Sequence, residues 1–306
     1  MTGAAKVSVI VPTFKRTQFL DRCLRSVAQQ TQPDFEVLVV NDDPDGATEV
    51  RQIVARLDSR FRLIENPQNL GVALSRNKAI AQSSAPIIAP LDDDDWWEPT
   101  YLECHVAAHE RNPEAVVVYS GYFTDASQLG LRTRRVEASD PPADTFEAML
   151  SGRFSLASSS ITTMQRHAVD EVGGYDAYAG VEDWDLQLRL ARLGRFVSVK
   201  TPLTHYVQHL GFRQSATQLV NMQGVLDKWR DYPQVSSFVA RRTAATYFNA
   251  SRAAVFARNR KAALSNYLAF LRWARKGSRP WRAFALLTLL NTLGPNVYRI
   301  VQNRFT

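Results

Sequence analysis

Four consecutive aspartates, Asp92, Asp93, Asp94 and Asp95, close an apolar run in "IIAPLDDDDWWEP". Two carboxylates roughly 5 Å apart repel by about 3 kcal/mol at an effective dielectric of ~20, so such a run calls for a counter-charge. Hard divalent cations take oxygen ligands, and Mg²⁺ typically combines one or two carboxylates with substrate phosphates. An acidic run at a strand end therefore suits a metal–diphosphate. In an extended segment alternate residues share a face, which pairs Asp92 with Asp94 and Asp93 with Asp95. The plainer readings are a surface acidic turn or a helix N-cap. A cap accounts for Asp95 ahead of "WWEP" but not for all four. Asp42 and Asp43 form a second acidic group, and Glu182, Asp183 and Asp185 a third. The third crowds a helix start, where the dipole favours anions even without chemistry. One of Trp96 and Trp97 is assigned to the core and the role of the other is left open. No "GxxxxGK[ST]" or "GxGxxG" follows the first apolar run, and no Cys/His spacing points to zinc.

Strands and helices must position these groups. "KVSVIVP", "FEVLVVND", "FRLIEN" and "APIIAPLD" read as strands. Between them, "TQFLDRCLRSVAQQ", "ATEVRQIVARLDS" and "NLGVALSRNKAIAQS" carry helical apolar stripes, the last entered through Gly71. Strands alternating with helices predict βαβ units and a mostly parallel sheet. Ligands bind such sheets at the carboxyl ends of the strands, where Asp42 and Asp92 fall. A further helix begins near Glu98, followed by the strand "AVVVYSG" and an irregular loop "ASDPPADTF". A helix is predicted from about Glu182 to Gly194. From roughly Ser215 onward the pattern is helical, and one weak tetratricopeptide-like pair reads as an ordinary helical hairpin.

The charge of the 306-residue chain divides its labour. Residues 213–306 hold 16 Lys/Arg and 2 Asp/Glu, a net +14, against −7 for residues 1–212. A basic tail on an acidic body fits an anionic surface, either phospholipid or nucleic acid, and equally a solvated helical face; the membrane is the partner expected overall, and nucleic acid is not. Ala283–Tyr298 is uncharged but broken by Asn291, Gly294 and Pro295, too short to span a bilayer and suited to lie in its interface or to pack on the protein. Two cysteines, Cys23 and Cys104, are too few for a disulfide framework and read as buried helix residues in a reducing compartment. The N-terminus lacks the basic region of a signal peptide. The expected location is cytoplasmic, peripheral on the cytoplasmic face of a membrane.

In order along the chain, "VSVIVPTFKR", "SVAQQTQPDFEVLVVNDDPDG", "NLGVALSRNKAI", "IIAPLDDDDWWEP" and "GGYDAYAGVEDWDLQLRLARLG" resemble the family 2 glycosyltransferases over about residues 6–212. The resemblance implies an α/β GT-A fold, a Rossmann-like and mostly parallel sheet flanked by helices, in residues 1–212. Residues 213–306 would form a basic helical extension. Inverting transfer from a nucleotide-sugar, by preference a UDP-sugar, to a hydroxyl of a cell-surface glycan or glycolipid is implied, with Mn²⁺ or Mg²⁺. Pro12, Thr13 and Phe14 would line the nucleotide pocket, Asp42 would meet the base and Arg76 the nucleotide. At Asp42 the family pattern is two acids then Gly-Ser; here Asn41 takes the first acid position and Asp43-Pro44 follow. The "DDDD" run matches the Asp-x-Asp motif, with Asp94 as metal ligand and Asp92 and Asp93 helping to hold metal and ribose. Asp183 would be the general base beside Glu182. His209 would complete the metal site, with His205 as its rival. Two alternatives remain: a sugar-phosphate nucleotidyltransferase, although "PTFKRTQF" lacks that class's glycine-rich signature, and an idle binding module acting through its tail.

Overall fold

In the computed structural model the described residues are 4–125, 132–207 and 216–236, with parts of 238–277. His209 and Ala283–Tyr298 lie outside them. The strands are β1 (Val7–Thr13), β2 (Phe35–Asn41), β3 (Phe61–Glu65), β4 (Ile87–Pro90), β5 (Trp96–Trp97), β6 (Ala115–Asp125), β7 (Arg134–Val136), β8 (Thr162–Gln165) and β9 (Arg195–Val207). The helices are α1 (Thr17–Ala28), α2 (Ala47–Val54), α3 (Val72–Gln82), α4 (Tyr101–Arg111), α5 (Thr145–Leu150), α6 (Arg166–Glu171), α7 (Glu182–Leu193), α8 (Ala216–Lys228) and α9 (Arg260–Gly277).

The chain divides into two compact units. One comprises residues 1–125, 133–146 and 155–208; the other comprises 126–132, 147–154 and 209–306. The first unit carries one sheet in the order β3-β2-β1-β4-β8-β6-β9-β5, with β7 beside β6. β3, β2, β1 and β4 run parallel. The fold is the α/β fold that the resemblance implies, and its alternating N-terminal half is all parallel. β8 joins β4 and β6 antiparallel, and β5 joins β9 antiparallel. β6 and β9 run parallel to each other, so the sheet is mixed, with β8 antiparallel to both of its neighbours.

Chain order explains where a ligand fits. From β1 the chain moves outward to β2 and β3, then returns to place β4 on the other side of β1. This reversal opens a crevice at the carboxyl ends of β1 and β4, the topological switch point of an open sheet. The strands beneath it are apolar on both faces, with Val7, Val9, Val11, Val37, Val39 and Ala89 in one core with Leu20, Leu24 and Val50 of the helices. Cys23 is buried in that core, while Cys104 is partly buried at its edge.

Candidate functional site

The four aspartates do not form an extended, two-faced segment. After β4 the chain makes a tight turn, with Asp95 N–H donating to the Asp92 carbonyl at 3.1 Å. The turn cancels the alternation predicted from an extended chain. Asp92, Asp94 and Asp95 instead bring one carboxylate oxygen each within 4.8 Å of one another. Asp93 turns aside to accept from Thr13 Oγ1 at 2.7 Å and from Arg16 at 3.3 Å.

Asp95 is not a helix cap. It is followed by β5, and α4 starts only after Thr100. Its carboxylate accepts from Val207 N at 2.9 Å, tying the turn to the end of β9. Burial, with the charges of Asp92 and Asp94, holds this carboxyl well above the usual range. Burial also pushes Asp93 up to about 7, against the pull of Thr13 and Arg16.

Two arginines supply counter-charge from within the chain. Arg16, at the entry to α1, lies 2.5 Å from Asp94 Oδ2. Arg76 of α3 is 1% exposed. Its two terminal nitrogens reach apart: Nη2 to Asp92 Oδ1 at 2.6 Å and Nη1 to Asp183 Oδ1 at 2.6 Å. The guanidinium also faces Glu182 at 3.5 Å and the Tyr175 ring at 5.1 Å. One buried cation thus joins the aspartate turn to the start of α7.

Asp183 and Glu182 differ in their surroundings. Glu182 is buried and accepts from the Gly180 N–H at 2.6 Å, closing the glycine loop ahead of α7. The Asp183 side chain stays 27% exposed. Burial pushes its carboxyl up to about 7, Arg76 pulls it down, and the charges of Glu182 and Asp92 add to the rise. Asp185, the third acid, is fully buried and paired with Arg189 at 2.7 Å, a bond within α7. The helix dipole helps to tolerate all three.

Asp42, at the end of β2, accepts from Asn66 Nδ2, Leu70 N and Gly71 N, each at 2.8 Å. Gly71 has φ +82°, a left-handed conformation that suits glycine. Asp42 therefore shapes the loop that opens α3. Pro12 and Thr13 are buried at the end of β1, whereas Phe14 is 41% exposed beside the crevice. Trp97 is core, stacked on Tyr101 at 4.0 Å. Trp96 is covered on both faces, by Arg22 at 3.6 Å and His205 at 4.6 Å, so it offers no free face to a sugar. His205 also bonds Glu98 at 2.7 Å and is not one of the three converging acids.

Arg16 and the serines Ser158, Ser159 and Ser160 were not singled out from sequence. Ser159 accepts from Arg76 Nη2 at 3.0 Å, and Ser160 accepts from Asp92 N at 3.0 Å. Their signal is a run of three small polar residues between "FSLA" and a strand.

An all-carboxylate oxygen set suits a hard divalent cation, and Asp92, a third exposed, opens it to a phosphate.

The profile of glycosyl transferase family 2 matches residues 8–173. The candidate glycosyltransferase EpsH of Bacillus subtilis (strain 168) is 30% identical over 214 residues, spanning 67% of this chain and 61% of EpsH. WcaA of Escherichia coli (strain K12), a candidate colanic acid biosynthesis glycosyl transferase, is 33% identical over 118 residues, 38% of this chain and 42% of WcaA. The chain thus matches less than two thirds of either relative. S. aureus TarS 1-349 in complex with UDP-GlcNAc aligns over 98% of this chain and 91% of its own, at TM-score 0.61 and 16% identity. The mannosyltransferase PcManGT from Pyrobaculum calidifontis, in complex with GDP-Man and Mn2+, aligns over 99% and 88%, at TM-score 0.57 and 19% identity. At such identities the two structures speak for the fold.

Proposed function

The chain belongs to glycosyl transferase family 2, and from that premise we propose that it moves a sugar from a nucleotide-diphosphate donor to an acceptor hydroxyl, with inversion at the anomeric carbon. The observation that carries this reading is the double ion pair of Arg76. It couples an accessible carboxylate, Asp183, to an acidic turn fit for a cation and a diphosphate.

Asp92, Asp94 and Asp95 would hold Mn²⁺ or Mg²⁺. The ion's contribution, when bound, is to offset negative charge on the departing diphosphate. Arg16 adds a second positive group on the same side. Phe14 offers a ring for the base, Pro12 and Thr13 form the floor beneath it, and Asp42 fixes the loop around it. Asp93, held by Thr13, orients the ribose side. We assign UDP as the nucleotide; a nucleotide complex of TarS supports it, and the GDP-Man complex of PcManGT makes GDP its competitor.

Asp183 accepts the proton of the acceptor hydroxyl, which attacks the anomeric carbon opposite the leaving diphosphate. Base catalysis of this kind contributes typically 10²–10⁴-fold. Glu182 keeps the loop closed and Arg76 keeps Asp183 aimed. The relatives named for polysaccharide work support a cell-surface glycan or glycolipid acceptor.

Residues 1–212 would be catalytic and residues 213–306 a membrane-facing extension. No described helix is long and apolar enough to cross a membrane. α9 contains Arg260, Lys261, Arg272, Arg275 and Lys276 and no acid, and its Leu264 and Leu268 are 56% and 57% exposed. These features support peripheral attachment to an anionic surface.

Thermal melting with UDP and Mn²⁺ tests the donor site. A rise in Tm that needs both is expected. No rise with any nucleoside diphosphate would favour an idle binding module.

A further inference from the structure

Three consecutive hydroxyls behind the site are each engaged by it. Ser158 Oγ accepts from Ser160 N at 3.1 Å and donates to Asp95 Oδ2 at 3.4 Å. Ser159 Oγ accepts from Arg76 Nη2 at 3.0 Å, and its hydroxyl favours the ionised form of the neighbouring Asp183. Ser160 Oγ accepts from Asp92 N at 3.0 Å, and its hydroxyl favours the ionised form of Asp95. All three hydroxyls thus lie among the charged groups of the site. A serine run in a loop is ordinarily solvated, yet Ser159 and Ser160 are buried, where an unpaired hydroxyl is costly.

The segment is fixed from behind. The Ser160 carbonyl accepts from Trp97 Nε1 at 2.7 Å and from Thr204 Oγ1 at 3.2 Å. The Ser159 carbonyl accepts from Thr162 Oγ1 at 2.7 Å, and Tyr101 OH donates to the Thr162 carbonyl at 3.1 Å. Immediately afterwards the chain enters β8, locked between β4 and β6. The three hydroxyls therefore ride on the sheet rather than on a free loop.

We propose that Ser158, Ser159 and Ser160 are positioning residues that set the spacing between the two halves of the reaction: Ser159 aims the Arg76–Asp183 pair, while Ser158 and Ser160 hold the Asp92–Asp95 turn. This rests on the reading of Asp183 as base and of the turn as the metal–diphosphate site. The groups that face Asp183 are Arg76 from α3, Asp92 after β4, Glu182 beside it, Tyr175 from the preceding loop and Ser159.

The test compares Ser158→Ala, Ser159→Ala and Ser160→Ala in the full chain. For each, Tm, donor kcat and KM, the pH profile of kcat/KM, and UDP affinity with Mn²⁺ are measured. Ser159→Ala should lower kcat about tenfold, since a hydrogen bond to a charged group is lost, and leave UDP–Mn²⁺ affinity as in the wild type. It should also move the acid limb of kcat/KM toward higher pH, because a donor that favours the carboxylate has gone. Ser159→Thr, which keeps the hydroxyl, should restore the limb. Ser158→Ala and Ser160→Ala should weaken UDP–Mn²⁺ affinity and leave the limb in place. If Ser159→Ala does not fold, Ser159→Cys, with a weaker donor of similar volume, gives the same readout. A wild-type limb and kcat in Ser159→Ala (or in Ser159→Cys, where the alanine variant does not fold), or losses that merely follow Tm in all three alanine variants, overturn the proposal. The reading beneath it fails differently: Asp183→Asn would then turn over normally.

Discussion

Glu182 and Asp183 share a peptide bond but differ in surroundings: Glu182 is buried and tied to the Gly180 loop, whereas Asp183 pairs with Arg76 and stays partly exposed. Sequence pattern marks both as acids at a helix start, and only the third dimension separates them. With the Asp183 carboxyl at about 7, it is half protonated there and a poor base below. Since kcat/KM reports the free protein, it should rise about tenfold per pH unit below that point and level above it. A profile that is flat between pH 5.5 and 8 would remove Asp183 from the base role. Arg16 offers a second check. It pairs with Asp94, so a cation there competes with it. Arg16→Met should strengthen binding of Mn²⁺ alone, measured by calorimetry, and weaken binding of UDP. The acids were legible because four in a row demand explanation. Arg16 and Ser159 were not, because nothing in "TFKR" or "SSS" says which partner the fold brings near.

At the scale of elements, the switch between β1 and β4 explains why Thr13 and Asp93 meet although 80 residues apart. The βαβ half was legible from alternating periods, and α7 was bounded correctly by its acids and Gly194. β5, with two residues, and β7, with three, are too short to carry a period. The turn through Asp93 and Asp94 was also hidden, since consecutive aspartates fit an extended chain as well as a turn. The β6–β9 pairing is irregular around Gly121. A Cβ there would lie 2.6 Å from the Val136 carbonyl oxygen and 2.9 Å from that of Lys200, both backbone. Gly121→Ala should therefore destabilise by about 1–3 kcal/mol, read as a fall in Tm or denaturant midpoint. An unchanged midpoint would mean that the strands part more easily than this pairing implies.

The whole molecule joins an acidic body to a basic C-terminal region, a contrast visible in residue counts alone. Charge counting identifies the asymmetry, but α9 adds which leucines are exposed. Vesicles containing phosphatidylglycerol should carry the chain upward in a flotation gradient, and Leu264→Ser with Leu268→Ser should reduce that binding. Equal binding to neutral vesicles, or none to either, would set the membrane role aside. Transfer itself is read from release of nucleoside diphosphate from a panel of UDP- and GDP-sugars, with Mg²⁺, Mn²⁺ or chelator, in wild type and Asp183→Asn. Metal-dependent release from at least one donor is expected, strongly reduced in Asp183→Asn while that variant keeps its UDP–Mn²⁺ melting shift. Release from no donor would mean that the chain is not a transferase of these sugars, and normal release by Asp183→Asn would mean that Asp183 is not its base.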